Sequence, residues 1–455
     1  MATMQTPLKI HNTATRSKET FVPLRADAVR LYVCGPTVYD LAHVGNARPV
    51  VVFDSFVRLL RRRYAAVTYV RNITDIDDKI MDRAEARGQS IAEVTAKTTQ
   101  VFHDDMAALN ALPPDHEPRA TEYVDGMVAM TETLIAKGHA YAADGHVLFD
   151  TSSMADYGVF SRRNQDELIA GARVDVAPYK RNGTDFVLWK PSTEQQPGWD
   201  SPWGKGRPGW HLECSVMAEA LLGETFDIHG GGIDLVFPHH QNELAQSTCA
   251  HDGAPFAKYW MHNGHVTVGG EKMSKSLGNF MTVHDLLAEQ PGEAIRLTLL
   301  SAHYRQPLDF TKDLVAESRR ILDRWYRAVG DADAAADLPD AVEAALCDDL
   351  NTPKAIAEMH SLVDQAMAGD RAAASSVKAV GEVLGLLQAA PDAWFQGQAG
   401  DGDLTAEAIE GLIERRRQAR QDKDFATSDR IRDALAGQGI VLEDGAGATA
   451  WRRRS

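Results

Sequence analysis

The stretch from residue 31 to residue 70 constrains the fold more than any other part of the chain. An apolar run of strand type, 31–34, leads into a turn rich in Gly, Pro and Thr, and then into apolar residues with helical spacing over about 46–63. A second strand-like run follows at 67–70. Two strands joined by a helix are parallel, so this order predicts an α/β domain with a parallel sheet. Ligands of such sheets bind at the carboxyl ends of the strands, where Cys34, Thr74 and Asp75 are expected.

The turn after the first strand has the residue types of a phosphate site. The first amides of a helix lack acceptors within the helix and carry the positive end of its dipole, which suits an anion. Gly45 has no side chain, so a flat ligand can approach the backbone closely. His43 and Asn46 stand three residues apart and can both direct a donor at the same anion.

A second stretch, Lys-Met-Ser-Lys-Ser at 272–276, lies between glycines and predicts an exposed loop. Lys272 and Lys275 on such a loop can approach a triphosphate and stabilise the charge that develops when pyrophosphate departs. The alternative is a solvated surface turn.

Four further residues have the spacing of a candidate metal site. His239 and Glu243 stand four apart and share one face if the segment is helical. Cys34 and Cys214 offer two thiols, so the four could close around a tetrahedral Zn²⁺. By spacing alone, the more common interpretation is two simple buried thiols and a core histidine.

A glycine triplet, 230–232, follows a strand-like run and is followed by Asp234. Glycines permit close approach of a ligand, and Gly232 with Asp234 can hold a ribose through its hydroxyls. A simple loop is the alternative.

Composition limits the class of protein. The chain of 455 residues has a net charge of −16, which argues against indiscriminate coating of nucleic acid. Arginine clusters at 58–63, 415–420 and 452–454 are candidate RNA contacts or simply solvated faces. We expect no membrane span and no secretory signal, because long apolar runs are lacking. Four scattered cysteines favour the reducing cytoplasm over a disulfide framework.

Local patterns predict several further elements. A helix is expected to run from about 79 to 109, and another over about 120–137. Asp144-Gly145 predicts a hairpin turn, and Thr352 with Pro353 predicts a helix start with Thr352 at the N-cap. Near the C-terminus we expect helices over about 405–421 and 427–436 and a strand at 439–442.

The two signatures, in this order, resemble those of class I aminoacyl-tRNA synthetases: a His-x-Gly-Asn/His turn and a Lys-Met-Ser-Lys-Ser loop. Other motifs narrow the resemblance to the cysteinyl-tRNA synthetase family and extend it over nearly the whole chain. They lie at 31–40, 71–79, 208–215, 227–232, 238–243, 423–433 and 451–453. Asn46 stands where many members carry His, a usual variant.

The resemblance implies a fold and its domains. The expected fold is a Rossmann-like parallel-sheet catalytic domain (1–111 and 201–265) with a connective insertion (112–200). A signature-loop region (266–310) follows, then an α-helical bundle (311–390), a linker (391–404) and a small anticodon-binding domain (405–455).

The resemblance also implies the activity, which is activation of L-cysteine by ATP and transfer to tRNA(Cys). His43, Asn46, Lys272 and Lys275 would be catalytic; His43, Gly45, Asn46, Gly232, Asp234 and Lys275 would bind ATP. Zn²⁺ would lie on Cys34, Cys214, His239 and Glu243, and Mg²⁺ would accompany ATP. Cys34, Gly35, Thr74 and Trp210 would contact the amino acid, although Thr74 and Trp210 can equally be packing residues. We expect a cytoplasmic monomer.

Two rival functions share these motifs. Ligases that join cysteine to an amino sugar use the same adenylate but need no anticodon-binding domain, so the segment 405–455 argues against them. A non-catalytic RNA-binding paralogue would not be expected to keep His43, Asn46, Lys272 and Lys275.

Overall fold

A computed structural model describes residues 6–163, 167, 178–273, 279–396, 404–444 and 449–453. The strands are β1 (Lys9–Asn12), β2 (Ser17–Thr20), β3 (Ala28–Val33), β4 (Ala66–Arg71), β5 (Ala140–Ala143), β6 (His146–Phe149), β7 (Phe186–Pro191), β8 (Gly206–Pro208), β9 (Phe226–Gly232), β10 (Ala257–Asn263), β11 (Val266–Val268), β12 (Glu271–Lys272), β13 (Leu308–Asp309), β14 (Ile440–Asp444) and β15 (Thr449–Arg453).

The helices are α1 (Val44–Arg63), α2 (Asp78–Arg87), α3 (Ile91–Ala108), α4 (Val124–Ala136), α5 (Trp210–Leu222), α6 (Gln241–Ala250), α7 (Val283–Leu287), α8 (Gly292–Leu300), α9 (Lys312–Val329), α10 (Asp340–Cys347), α11 (Thr352–Met367), α12 (Arg371–Leu384), α13 (Pro391–Gln396), α14 (Ala406–Gln421) and α15 (Phe425–Gly437). Short 3₁₀ turns lie at Ala120–Glu122, Thr151–Ser153 and Ile233–Leu235, and a short π-helical segment at Val236–His240.

The central sheet has the strand order β10-β9-β3-β4 and is parallel throughout. The predicted parallel α/β fold is therefore confirmed. All four strands end at the same edge, so the residues that follow them meet there. Helix α1 packs so closely on β9 that a Cβ placed on Gly230 would lie 2.3 Å from the Phe53 ring.

The segment between β4 and α5 carries its own antiparallel sheet, β5-β6-β7-β8. Asp144 and Gly145 both have positive φ, at 51° and 75°, as the predicted hairpin turn requires. Strand β11 pairs with β12 on one side and with β13 on the other, which places Lys272, the first residue of the lysine stretch, at an edge of this small sheet.

Two local predictions were wrong. The predicted helix from 79 to 109 is two helices, because Gly88 ends α2 in the left-handed region and Ser90 starts α3 in a capping box with Glu93. The N-cap before Pro353 is Asn351, whose Oδ1 accepts from the Lys354 amide at 3.2 Å. Thr352 instead donates to the Leu300 carbonyl at 2.8 Å.

The chain divides into two compact units. The first comprises Met1–Arg319, Leu338–His360 and Val383–Leu386, and it contains the parallel sheet and the insertion. The second comprises Arg320–Asp337, Ser361–Glu382 and Leu387–Ser455. Its C-terminal part has a small core made by Ile409, Ile413, Ile431, Leu435, Ile440 and Trp451. The domain limits derived from the sequence stay predictions.

Candidate active site and metal centre

A cavity of about 510 Å³ opens at the carboxyl edge of the parallel sheet. It is lined by eight of the residues that the sequence analysis singled out: Cys34, Gly35, His43, Gly45, Asn46, Trp210, Gly232 and Asp234. Met273, within the lysine stretch, and Phe280, which follows it, line the cavity as well. Residues from both signatures thus share one cavity. Lys275 lies outside the described residues, and for Lys272 the structure describes only its backbone in β12.

The first turn of α1 is held in a defined shape. The Oδ1 atom of Asn46 accepts from the His43 amide at 3.2 Å. This leaves the Asn46 NH₂ group as the part of that side chain that can donate to a ligand. The Val44 amide donates to the Met281 carbonyl at 3.1 Å, so this amide is not available to a phosphate. The helix start therefore offers fewer open amides than the sequence suggested.

The segment that follows the lysine stretch is attached to this turn. The Val283 amide donates to the Ala42 carbonyl at 2.9 Å, and the Phe280 ring lies edge-on to the His43 ring at 5.1 Å. A Cβ on Gly45 would lie 3.1 Å from the Met273 Cε atom. Met273 of the lysine stretch and the residues that follow the stretch therefore lie against the His43–Asn46 turn.

Arg48 fixes the opposite wall. Its buried guanidinium donates from Nη1 to the carbonyls of Gly264 and His265 at 2.9 and 2.8 Å, and from Nη2 to the His303 carbonyl at 3.2 Å. Burial lowers the pKa of Arg48 to about 10, a value at which it still carries its charge at neutral pH. The chain after β10, which lines the cavity, is thereby tied to α1.

The glycine triplet has mixed roles. Gly230 makes room for Phe53, and a Cβ on Gly231 would lie 3.1 Å from the His240 ring. Only Gly232 lines the cavity, next to Asp234. Gly35 also meets a close neighbour, since a Cβ there would lie 1.7 Å from the Asn72 carbonyl oxygen.

Four donor atoms gather beside this cavity, at Cys34, Cys214, His239 and Glu243, all buried and all within 4.8 Å of one another. The two sulfurs are 3.7 Å apart, and His239 Nε2 is 3.0 Å from Glu243 Oε1. Two thiols, an imidazole and a carboxylate form a donor set that fits a tetrahedral metal ion, Zn²⁺ in particular. The spacing argument and the family resemblance pointed to these same four residues.

A second set of donors, which the sequence analysis missed, overlaps the first and consists of Cys34, His229, His240 and Glu243. His229 Nε2 lies 2.8 Å from Glu243 Oε2. His240 Nδ1 lies 2.8 Å from His262 Nε2, and His262 Nδ1 lies 2.8 Å from Thr13 Oγ1. This row of imidazoles orients the carboxylate and the ring next to it, as residues around a metal ligand commonly do. The first set keeps both thiols, so it is the better site for Zn²⁺.

The charges of the four donors are linked. The hydrogen bond from Cys34 lowers the pKa of Cys214 to about 6, although burial opposes this, while burial raises the pKa of Cys34 well above its ordinary value. Burial disfavours a protonated His239, but Glu243 and Cys214 outweigh it and raise the pKa of His239 to about 10.

Trp210 and Thr74 differ in position. The Trp210 ring stacks on the His239 ring with centroids 4.2 Å apart and lines the cavity. Thr74 is buried and donates from Oγ1 to Glu213 at 2.9 Å. It is not among the cavity-lining residues, and its packing role is the one the structure displays. Asp75, expected at the ligand edge, accepts from the amide and hydroxyl of Thr121 instead.

Comparison with known families accounts for nearly the whole chain. The model of the tRNA synthetase class I (C) catalytic domain matches residues 20–320. A DALR domain matches 341–388, and the cysteinyl-tRNA ligase anticodon-binding domain matches 401–452. The chain belongs to the cysteine–tRNA ligase family.

Relatives in this family are similar over their full length. A cysteine–tRNA ligase of Rhodospirillum rubrum is 59% identical over 456 residues, covering 98% of this chain and 99% of the relative. One of Acidiphilium cryptum is 59% identical over 449 residues, with 98% and 99% coverage. A Mycobacterium tuberculosis methionyl-tRNA synthetase in complex with methionyl-adenylate shares the fold, with a TM-score of 0.53, 17% identity, and coverage of 79% of this chain and 82% of that one.

The arginine clusters of this cysteine–tRNA ligase family member are largely occupied by internal partners. Arg58, Arg61 and Arg63 pair with Asp54, Asp115 and Glu343. Near the C-terminus, Arg416 and Arg420 pair with Asp444, while Arg415 is exposed. No described helix combines the length and the apolar character that crossing a bilayer requires.

Proposed function

We propose that the chain activates L-cysteine with ATP and transfers the cysteinyl group to the terminal adenosine of tRNA(Cys). The observation that supports this most is that the four metal donors cluster around Cys34, which lines the same cavity as the His43–Asn46 turn. The amino-acid thiol and the ATP phosphates can then be bound side by side.

In the first step, the carboxylate of cysteine attacks the α-phosphorus of ATP and pyrophosphate leaves. No side-chain nucleophile is required, so the protein acts by positioning the substrates and stabilising phosphate charge. We assign the phosphates to His43, Gly45 and the NH₂ group of Asn46, and the ribose to Gly232 and Asp234. Lys275, with Lys272, would neutralise the leaving pyrophosphate, and Mg²⁺ would accompany ATP.

Selectivity between cysteine and serine would depend on the metal centre. Cys34, Cys214, His239 and Glu243 would hold Zn²⁺, which binds thiolate sulfur well and a serine hydroxyl poorly. A pocket without such a group discriminates poorly between side chains that differ in one atom. Gly35 and Trp210 line the same part of the cavity and would position the rest of the amino acid, with Thr74 behind them.

The second step requires the tRNA. The match of 401–452 to an anticodon-binding domain supports a tRNA substrate and argues against a cysteine–amino sugar ligase, which would not need that domain. The domain limits, the monomeric state and the cytoplasmic location stay predictions.

Two assays test the proposal. ATP–pyrophosphate exchange should proceed with cysteine and not with serine, and purified tRNA(Cys) should then be charged. Exchange with cysteine without charging of any tRNA would overturn the proposal in favour of the amino sugar ligase. Absence of exchange with cysteine would favour the non-catalytic RNA-binding protein.

A further inference from the structure

The cavity extends beyond the proposed nucleotide site to a second flank, next to β4, that the activation step does not use. Lys79, Arg71, Thr98 and Phe102 line this flank. The residues assigned to the ribose, Gly232 and Asp234, follow β9, which lies on the other side of β3 in the sheet. Strand β3 lies between β9 and β4, so its width separates the two flanks.

Lys79 presents an exposed ammonium group at this flank. Its Nζ atom lies 5.4 Å from the centre of the Tyr39 ring, and among the described residues it makes no ion pair. The nearby carboxylates are engaged elsewhere, since Asp77 caps α2 through the Lys79 amide and Asp40 pairs with Arg83 at 2.8 Å. The Lys79 ammonium is thus available to an anion.

Arg71 contributes a second positive charge to the same flank. Arg71 is 3% exposed, and its Nη2 atom pairs with Glu117 at 3.2 Å. Its Nε and Nη1 atoms have no hydrogen-bond partner among the described residues. Its guanidinium also lies over the Phe102 ring, with Cζ 5.2 Å from the ring centre, so Arg71 adds a buried positive charge to this wall of the cavity.

Positive charge continues from this flank onto the insertion. Lys190 of β7 and Arg207 of β8 both pair with the single carboxylate of Asp78, at 2.6 and 3.1 Å. Lys79 and Lys190 also act on Asp77, so three cations face two carboxylates here in a chain whose net charge is −16. A chain of phosphates that enters over the insertion would follow these residues into the cavity.

We propose that Lys79 binds a phosphodiester of the 3′ end of the acceptor RNA and so positions that end for the transfer step. The proposal rests on the function proposed above. RNA phosphates fit better than those of ATP because the nucleotide is assigned to the His43 turn and the β9 side of the cavity. The positive rim also leads away from that side.

The test compares Lys79→Met with a matched control, Lys97→Met. Both lysines are exposed; Lys79 of α2 lines the cavity, whereas Lys97 of α3 does not. We expect Lys79→Met to leave cysteine-dependent pyrophosphate exchange unchanged. It should raise about tenfold the tRNA concentration that gives half-maximal single-turnover transfer from preformed adenylate, because a charged hydrogen bond is lost. The slope of log K against log salt should fall by about 1. Lys79→Arg should restore transfer, and Lys97→Met should match the unmodified enzyme.

Two outcomes would overturn the inference. An equal loss of exchange and transfer in Lys79→Met would assign Lys79 to the nucleotide or pyrophosphate. Transfer equal to that of Lys97→Met would show that Lys79 binds no phosphate. Both are distinct from failure of the proposed function itself, in which the unmodified chain would charge no tRNA.

Discussion

The proposed selectivity for cysteine over serine depends on single ligand atoms, and the sulfur of Cys214 is one of them. Its sulfur lies 3.7 Å from that of Cys34 and belongs to a fully buried group of donors. Cys249 is also a buried thiol, 8% exposed, but is in neither candidate donor set. The two cysteines thus form a matched pair for separating metal binding from simple packing.

Cys214→Ser should lose most of the bound zinc, because a serine hydroxyl is a poor ligand for Zn²⁺. Metal analysis of the purified protein should give well below one zinc per chain, and cysteine-dependent exchange should fall at least 100-fold. Cys249→Ser should keep the metal and the activity. Full zinc occupancy in Cys214→Ser would refute the proposed ligand set.

Single residues also show which parts of the candidate site can be predicted from the sequence and which cannot. Cys34, Cys214, His239 and Glu243 were predictable, because ligand types and helical spacing can be read locally and the family motif is specific. The imidazoles of His229 and His262 were not, because they approach the site only through the parallel register in which Trp260 pairs with His229 and His262 with Gly231. One signal was present, since both histidines lie near the ends of strand-like runs that a parallel sheet brings to one edge.

At the scale of elements, the helices α1, α4, α14 and α15 and the turn at Asp144-Gly145 were predicted from local sequence patterns. The break between α2 and α3 was missed although its signals, Gly88 and the Ser90–Glu93 capping box, are local. The pattern of amphipathic spacing continued across the break and hid it. Lys275 cannot be compared with the structure, because it lies outside the described residues.

The β14–β15 hairpin and α14 are joined by an ion pair that gives a pH test. Arg416 donates to both oxygens of Asp444, at 2.7 and 2.9 Å. Bonds from Arg416 and Thr449 lower the pKa of Asp444. A lowered carboxyl pKa stabilises the fold above the unfolded value of about 4, and this stabilisation is lost as the pH falls.

Asp444→Asn should therefore lower the free energy of unfolding of this part at pH 7 by less than about 1 kcal/mol, since the Asp444 side chain is 43% exposed. The difference should shrink as the pH falls from about 4 to 3. Thermal melts of the full chain at several pH values, with Asp433→Asn as the exposed control, measure it. A difference that stays constant down to pH 3 would contradict the assignment.

At the scale of the whole molecule, the proposed chemistry and the segment matched to an anticodon-binding domain lie in different parts of the chain. The parallel sheet and the donor cluster lie in the first unit, whereas the segment matched to an anticodon-binding domain lies in the second. The C-terminal core is small, with Trp451 5% exposed and its Nε1 donating to Glu410 at 2.6 Å. A single large-to-small change can therefore disable it.

Trp451→Ala should cost about 3–5 kcal/mol and unfold the C-terminal core, because a module of this size has little stability to spare. Cysteine-dependent exchange should stay within twofold of the unmodified enzyme, while charging of tRNA(Cys) should fall at least tenfold. Glu414→Ala, an exposed change on α14, serves as the control. A parallel loss of exchange and charging would show that the two activities are not separable.

The donor cluster has one more consequence, which concerns synthesis of the chain. Its members come from residues 34, 214, 239 and 243, on both sides of the insertion. A nascent polypeptide cannot complete the cluster until residue 243 has left the ribosome. The metal ion would therefore bind only after the catalytic part of the chain has been synthesised and folded. Scarcity of the ion would affect newly made enzyme before it affected enzyme that already holds the ion.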